Sequence, residues 1–197
     1  MPETPEEFWA RTHDALRTPP VEEWDTWPFD GALTPRTLEP PVDREQARHG
    51  EGGVGCRRCE RGVDGALWFD DHWVVVPLGA VPGLPMVCIL ETRAHYDFHT
   101  LPTGLQHELG PLLVRVQQAV YAVGDIGNVH VCRWGDGSEH FHMWFMARPA
   151  RIPQLAGSFA AIWDDILPRV PEDIWRENLE IVRSALVGSA SDGSRAA

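Results

Sequence analysis

The residues best suited to chemistry lie in two short stretches of the chain. Cys56-Arg57-Arg58-Cys59 sets two thiols three positions apart, and Gly50, Gly52, Gly53 and Gly55 crowd the approach to it. Two thiolates at this spacing can turn toward one ion. Zinc favours a tetrahedron of four sulfur and nitrogen ligands, of which such a knuckle supplies two. The rival reading is a redox dithiol, but no strand–helix–strand pattern surrounds the pair. The remaining ligands must be histidines. His49, His95, His99, His130, His140 and His142 are all candidates, and position alone does not choose among them.

The second stretch is Glu139–Pro149, EHFHMWFMARP. Side chains alternate along a strand, so His140, His142 and Trp144 are expected on one face and Phe141, Met143 and Phe145 on the other. The second set is wholly apolar and reads as the core-facing side. The histidines then belong to the face that carries the chemistry.

The elements that must position these residues follow from pattern. Thr4, Pro5 and Glu7 form a capping box and a first-turn proline, which predicts a short amphipathic helix over 4–17. Residues 18–55 are rich in Pro and Gly without a sustained period and read as an irregular arm, with Trp24, Trp27 and Phe29 as docking points. Ala66–Phe69, Trp73–Leu78 and Met86–Glu91 are short apolar runs, the first two joined at Asp70-Asp71. Leu105, Leu109, Leu112, Leu113, Val116 and Val120 recur at helical spacing, predicting a helix over 104–123 that Pro111 should kink or divide. Val129–Trp134 and Glu139–Ala147 read as strands joined by a tight turn at Gly135–Gly137. That turn would set Cys132 opposite His140 and His130 opposite His142. Cys88 and Cys132 read as small hydrophobes inside strands.

Two helices are expected to close the fold. One carries Phe159, Ile162, Trp163 and Ile166 on a face, and the next carries Trp175, Leu179, Val182 and Leu186. The strand links are too short for crossover helices, so the class is α+β with a mainly antiparallel sheet. The organisation is an arm over 1–55, a core over 56–150, a helical extension over 151–187 and a disordered tail over 188–197. A chain of 197 residues suits one domain with extensions.

Composition narrows the partners. A net charge of −12 argues against binding a nucleic-acid polymer, which calls for a basic face, but a few local arginines can still hold one phosphate. The N-terminus lacks a cationic segment followed by an apolar run, and no apolar stretch is long enough for a membrane span. A cytoplasmic protein is the expectation. Four cysteines in that compartment read as ligands, catalytic thiols or core residues rather than disulfides. The nine tryptophans read mostly as core or pocket walls.

The stretch from His140 to Arg148 resembles the signature of the histidine-triad superfamily, His-x-His-x-His-x-x-Pro-Arg, with Arg148 eight residues after His140. The order upstream is also similar: a CxxC, two strands, an apolar strand ending in Thr92-Arg93-Ala94-His95, then Leu-Pro and a helix. The resemblance covers about residues 56–149. It implies a five-stranded sheet, and its zinc-containing branches, including the galactose-1-phosphate uridylyltransferases, imply Cys56, Cys59, His95 and His140 as ligands of one structural zinc. It assigns His142 as the nucleophile, and a neutral imidazole suits that role because it attacks readily and leaves readily. Trp144, Ser138, Arg148 and His130 are the expected contacts of a phosphorylated small-molecule substrate, a nucleotide among the class expected. A homodimer is also implied.

Two departures matter. Trp144 stands where the third histidine would be, and an indole cannot take up and return a proton. The end of the second strand, Val76-Pro77-Leu78-Gly79, lacks the acidic ribose contact of nucleotide-binding members. The expectation is a hydrolase or transferase acting on a phosphorylated small molecule through His142. The alternatives are a catalytically silent protein that binds such a ligand and an enzyme of altered chemistry.

Overall fold

The computed structural model describes residues 3–13, 15, 29–30, 34–35 and 44–192. Helix α1 (Pro5–Thr12) begins with the expected reciprocal cap: Thr4 Oγ1 accepts from the Glu7 N–H at 3.2 Å, and the Glu7 carboxylate accepts from the Thr4 N–H at 2.8 Å. It ends five residues short of the expected boundary. Strands β1 (Phe29–Asp30) and β2 (Thr34–Pro35) form a two-residue antiparallel ladder. Trp24, Trp27 and the Phe29 side chain lie outside the described residues, as does 193–197.

The body is one five-stranded antiparallel sheet in the order β3 (Trp68–Phe69), β4 (Trp73–Pro77), β5 (Val87–Thr92), β7 (His142–Pro149), β6 (Ile126–Cys132). The class is α+β, as the short links required. Side-chain alternation divides the sheet cleanly. Trp73, Val75, Cys88, Leu90, Val129, Phe145 and Ala147 sit in one buried cluster, beneath α3 (Thr103–Tyr121) and α5 (Glu172–Asp192). Phe141 and Met143 join that cluster, so the apolar face of the last strand does face the main core. Helix α3 runs through Pro111 undivided. On α5, Trp175, Val182 and Leu186 are buried and Leu179 packs beside them. Its helix continues to Asp192, into the stretch expected as disordered tail.

The opposite face is not open. Val87 and Met146 are buried with Phe8 of α1, Leu84, Leu155 and Leu167, and Trp144 and Cys132 pack against them. Cys132 is therefore on the histidine-bearing face, not in the main core. Helix α4 (Ala160–Ile166) buries Ala160 and Asp164, whereas Phe159 is exposed. The reason is polar. The Asp164 carboxylate accepts the Gly83 and Leu84 N–H groups, both at 2.8 Å, which turns that side of α4 inward. Burial pushes the Asp164 pKa up, and these two backbone bonds oppose the shift.

The register of the last hairpin also needs correction. Cys132 pairs with Trp144 and His130 with Met146, four positions from the tight-turn expectation. The connection 133–141 is long because it is held elsewhere. The His49 N–H donates to Gly137 O, Glu139 N–H to His49 O and Phe141 N–H to Tyr96 O. No described helix is long and apolar enough to cross a membrane.

Phe8 is 1% exposed and fills a site walled by β5, β7 and the segment before α4. Phe8→Ala should cost about 3–5 kcal/mol by the usual transfer-plus-cavity cost. Urea unfolding of both proteins measures it. A loss below about 1 kcal/mol would mean that α1 is not seated on this face.

Candidate functional site

Three separated chain segments converge at one end of the sheet. Cys56 and Cys59 flank the start of the one-and-a-half-turn helix α2 (Arg57–Arg61), His95 follows β5, and His140 precedes β7. One ligand atom from each lies within 4.8 Å of the others. His140 Nδ1 is 3.3 Å from Cys56 Sγ, 3.6 Å from Cys59 Sγ and 3.3 Å from His95 Nδ1, and Cys59 Sγ is 3.6 Å from His95 Nδ1. A tetrahedral ion with zinc-like bonds of about 2.3 Å to sulfur and about 2.0 Å to nitrogen requires N···N edges near 3.3 Å and S···N edges of about 3.5 Å. The four distances given fit such an ion.

The surroundings fix the donors. His140 Nε2–H donates to the Thr92 carbonyl at 2.7 Å, which leaves Nδ1 free to ligate. Burial pushes the His140 imidazole down to about 4, so the ring is neutral, as a ligand must be. Gly50 has φ +76, and a Cβ there would stand 3.1 Å from the Cys56 Cβ. The glycine-rich approach is thus a wound loop whose shape sets the first thiol.

His142 opens β7 on the other side of this cluster. Its Nδ1 is 2.8 Å from the His140 carbonyl and its Nε2 is 2.7 Å from the Trp134 carbonyl. Both contacts are hydrogen bonds only when both ring nitrogens carry a proton. The segment around Trp134 is held by its neighbours. Arg133 donates to Asp97 at 2.6 Å, and Arg48 donates to Asp97 at 2.7 Å and to Gly135 O at 3.1 Å. Burial pushes the Asp97 carboxyl up, but Arg48 and the Phe98 N–H bond it strongly enough to leave it below its ordinary value.

The cross-strand partner of His142 is Glu91, so its carboxylate lies on the same face. Its side chain is 13% exposed and 2.9 Å from Arg58 Nε, the knuckle's own arginine, which is 5% exposed. Burial pushes the Glu91 pKa up, against the nearby charges of Arg58, Arg61 and His142. The sequence reading missed this pair. Its signals are an acid at the end of the apolar run Val87–Leu90 and a second arginine inside the CxxC.

The other expected contacts are scattered. Trp144 is two residues from His142 on its face, with its ring 6.1 Å from that of Trp134. His130 lines a cleft that also includes Trp134. Arg148 donates to Pro149 O and Ile152 O, tying the strand end to the next segment. Ser138 donates to the His49 carbonyl at 3.4 Å.

A histidine-triad protein from Bradyrhizobium japonicum superposes with a TM-score of 0.51 at 14% identity, covering 66% of this chain and 95% of that one. One from Marinobacter aquaeolei VT8 gives 0.50 at 16% identity, covering 66% and 93%. The fold is that of the histidine-triad proteins. No protein-family model and no curated protein sequence matches the chain.

Metal analysis of purified protein should find about one equivalent per chain, and Cys56→Ala/Cys59→Ala should remove it. Gly50→Ala should lower occupancy and cost about 1–2 kcal/mol, because an L-residue is strained at that φ. Full occupancy in the double cysteine variant would refute the site.

Proposed function

We propose that the chain is a phosphoryl- or nucleotidyl-group hydrolase or transferase that works through a covalent adduct on His142. Zinc bound by Cys56, Cys59, His95 and His140 serves to fix structure. With four protein ligands no coordination position is left for substrate. The observation that carries the reading is the chain of contacts from the cluster to the reacting ring. His140 is tethered by its two nitrogens, so its carbonyl is fixed in space. That carbonyl takes the His142 Nδ1–H at 2.8 Å, which directs the other nitrogen, Nε2, outward as the nucleophile.

In the first step Nε2 bonds to phosphorus while the bond from phosphorus to the leaving group breaks. In the second, water or an acceptor hydroxyl attacks phosphorus and the imidazole departs. The Trp134 carbonyl stands against Nε2 and must withdraw as substrate arrives. Trp144 shapes the same face, Arg148 stabilises the strand end, and Ser138 holds the connecting segment through His49. Trp144 cannot protonate a leaving group, so the reaction depends on one that departs as a stable anion.

The Trp134 contact also favours a second reading, a silent protein that binds a phosphorylated ligand without turnover. Rapid-quench kinetics with a nucleoside phosphoramidate or a nucleoside polyphosphate separates the two, since only the enzyme gives a burst.

Two outcomes test the leading reading. His142→Ala should abolish turnover with metal content unchanged, and wild-type protein quenched away from acid should carry a phosphoramidate on His142 by mass spectrometry. An adduct on another residue, or an active variant, sinks the assignment. Across a leaving-group series the wild-type rate should fall steeply with leaving-group pKa, since a missing proton donor is typically worth ~10²–10⁴ in rate. Trp144→His should flatten that slope. A shallow slope in wild type, unchanged by the substitution, would show that the missing histidine has no part in the chemistry.

A further inference from the structure

A chain of net charge −12 that holds an anionic substrate needs arginines beside the reacting nitrogen. The arginines around His142 are not equally placed for this. Arg148 ties the end of β7 to Ile152, and Arg58 is paired with Glu91 on the β5 side of His142. His142 Nε2 points elsewhere, to the Trp134 carbonyl at 2.7 Å. The next residue, Gly135, is where two further arginines meet. Arg48 donates to its carbonyl at 3.1 Å, and the Arg133 guanidinium folds back over it so closely that a Cβ on Gly135 would collide with it.

Both arginines turn on one carboxylate. Asp97 accepts Arg48 at 2.7 Å through one oxygen and Arg133 at 2.6 Å through the other, and His99 Nδ1 stands 3.3 Å away. Two guanidinium groups exceed the single carboxylate by one positive charge. The Asp97 side chain is 4% exposed, whereas those of Arg48 and Arg133 are 29% and 25% exposed, so the acid lies beneath and the cations reach solvent. Arg133 Nε is buried with no hydrogen-bond partner among the described residues, which leaves a donor unmet at the same place. A pair of guanidinium forks matches the oxygens of a phosphate or a carboxylate.

We propose that Arg48 and Arg133 form an anion subsite, held shut by Asp97, for a second phosphate or carboxylate group of the substrate beyond the phosphorus that His142 attacks. The incoming group takes the place of Asp97 on the two arginines. Arg48 then loosens its hold on Gly135, and the Trp134 carbonyl moves off Nε2. The same pair steadies the negative charge of the departing group, which Trp144 cannot protonate. The proposal rests on the reading of His142 as the reacting residue, but the subsite is measured without turnover.

The test uses wild-type protein as purified and three probes that cannot be cleaved. Methylphosphonate carries one anionic group, methylenediphosphonate two phosphonates, and phosphonoacetate a phosphonate and a carboxylate. In calorimetric titration at least one two-group probe should bind about tenfold more tightly than methylphosphonate, the scale of one bond to a charged partner. Whichever gains more identifies the second group. Arg48→Gln and Arg133→Met should each remove most of that gain. Arg48→Gln, at a part-exposed position, keeps the test open should Arg133→Met fail to fold. Asp97→Asn should raise the gain severalfold, since the competing charge is gone while an asparagine can still cap the turn at Phe98. That variant should also speed carbethoxylation of His142 by diethyl pyrocarbonate, followed on its peptide by mass spectrometry, because Nε2 loses its cover. Thermal melting and zinc content establish that each variant is folded. A merely structural cluster would not give opposite signs for the acid and the arginines. Equal affinity for all three probes, weaker two-group binding in Asp97→Asn, or unchanged carbethoxylation in that variant overturns the proposal. A two-group preference with no burst from a nucleoside polyphosphate would keep the subsite and remove the catalytic reading of His142. A burst with equal affinities would do the reverse.

Discussion

The constraint on which this end of the molecule depends is the meeting of four ligand atoms from three chain segments within 4.8 Å. Two thiols and two imidazoles brought this close would repel or compete for hydrogen bonds if nothing joined them. A tetrahedral cation would resolve the conflict, and the four distances given above are those it would require. In proteins of this kind the free energy of metal binding is also free energy of folding. The wound loop around Gly50, the bend after β5 at His95 and the segment entering β7 at His140 are therefore one structural unit, though they are far apart in sequence.

The proposed chemistry inherits its geometry from that unit. His140 stands at the junction, with Nδ1 toward the cluster, Nε2–H on the Thr92 carbonyl and its own carbonyl on His142. Its backbone position is set from both sides, so the orientation of His142 is set as well. The knuckle contributes a second way, because Arg58, between the two cysteines, reaches the carboxylate opposite His142 at 2.9 Å. A buried ion pair of this kind is weak evidence for stability, since desolvation offsets much of its attraction. Its placement links the thiol loop electrostatically to the face that carries His142. On that face the second apolar cluster, built around Phe8 from the N-terminal helix, closes most of the surface and leaves the cleft beside β6.

Much of this was readable from residue order. Cys56 and Cys59 announce a ligand pair, and the apolar alternation of Phe141, Met143 and Phe145 correctly marks the buried side of the last strand. The strands and α3 follow from local periodicity, and local periodicity survives in the fold. The failures that bear on the site are long-range. The Gly135–Gly137 composition suggests a tight turn, yet bonds to His49, Tyr96 and Asp97 stretch the connection and slip the register by four residues. Phe159 fits a helical stripe, yet the buried Asp164 carboxylate turns α4 the other way. Glu91 was hidden because an acid after an apolar run looks like a strand end, and only the β5–β7 register sets it opposite His142. The role of Phe8 was likewise invisible, since nothing in an amphipathic stripe says which surface it will cover.

The central claim is that Cys56, Cys59, His95 and His140 enclose one tetrahedral zinc. X-ray absorption at the zinc edge of the purified protein tests it most directly. The account predicts a shell of two sulfurs at about 2.3 Å and two imidazole nitrogens at about 2.0 Å. A spectrum with only oxygen and nitrogen neighbours, or protein that folds and holds no zinc, would contradict it.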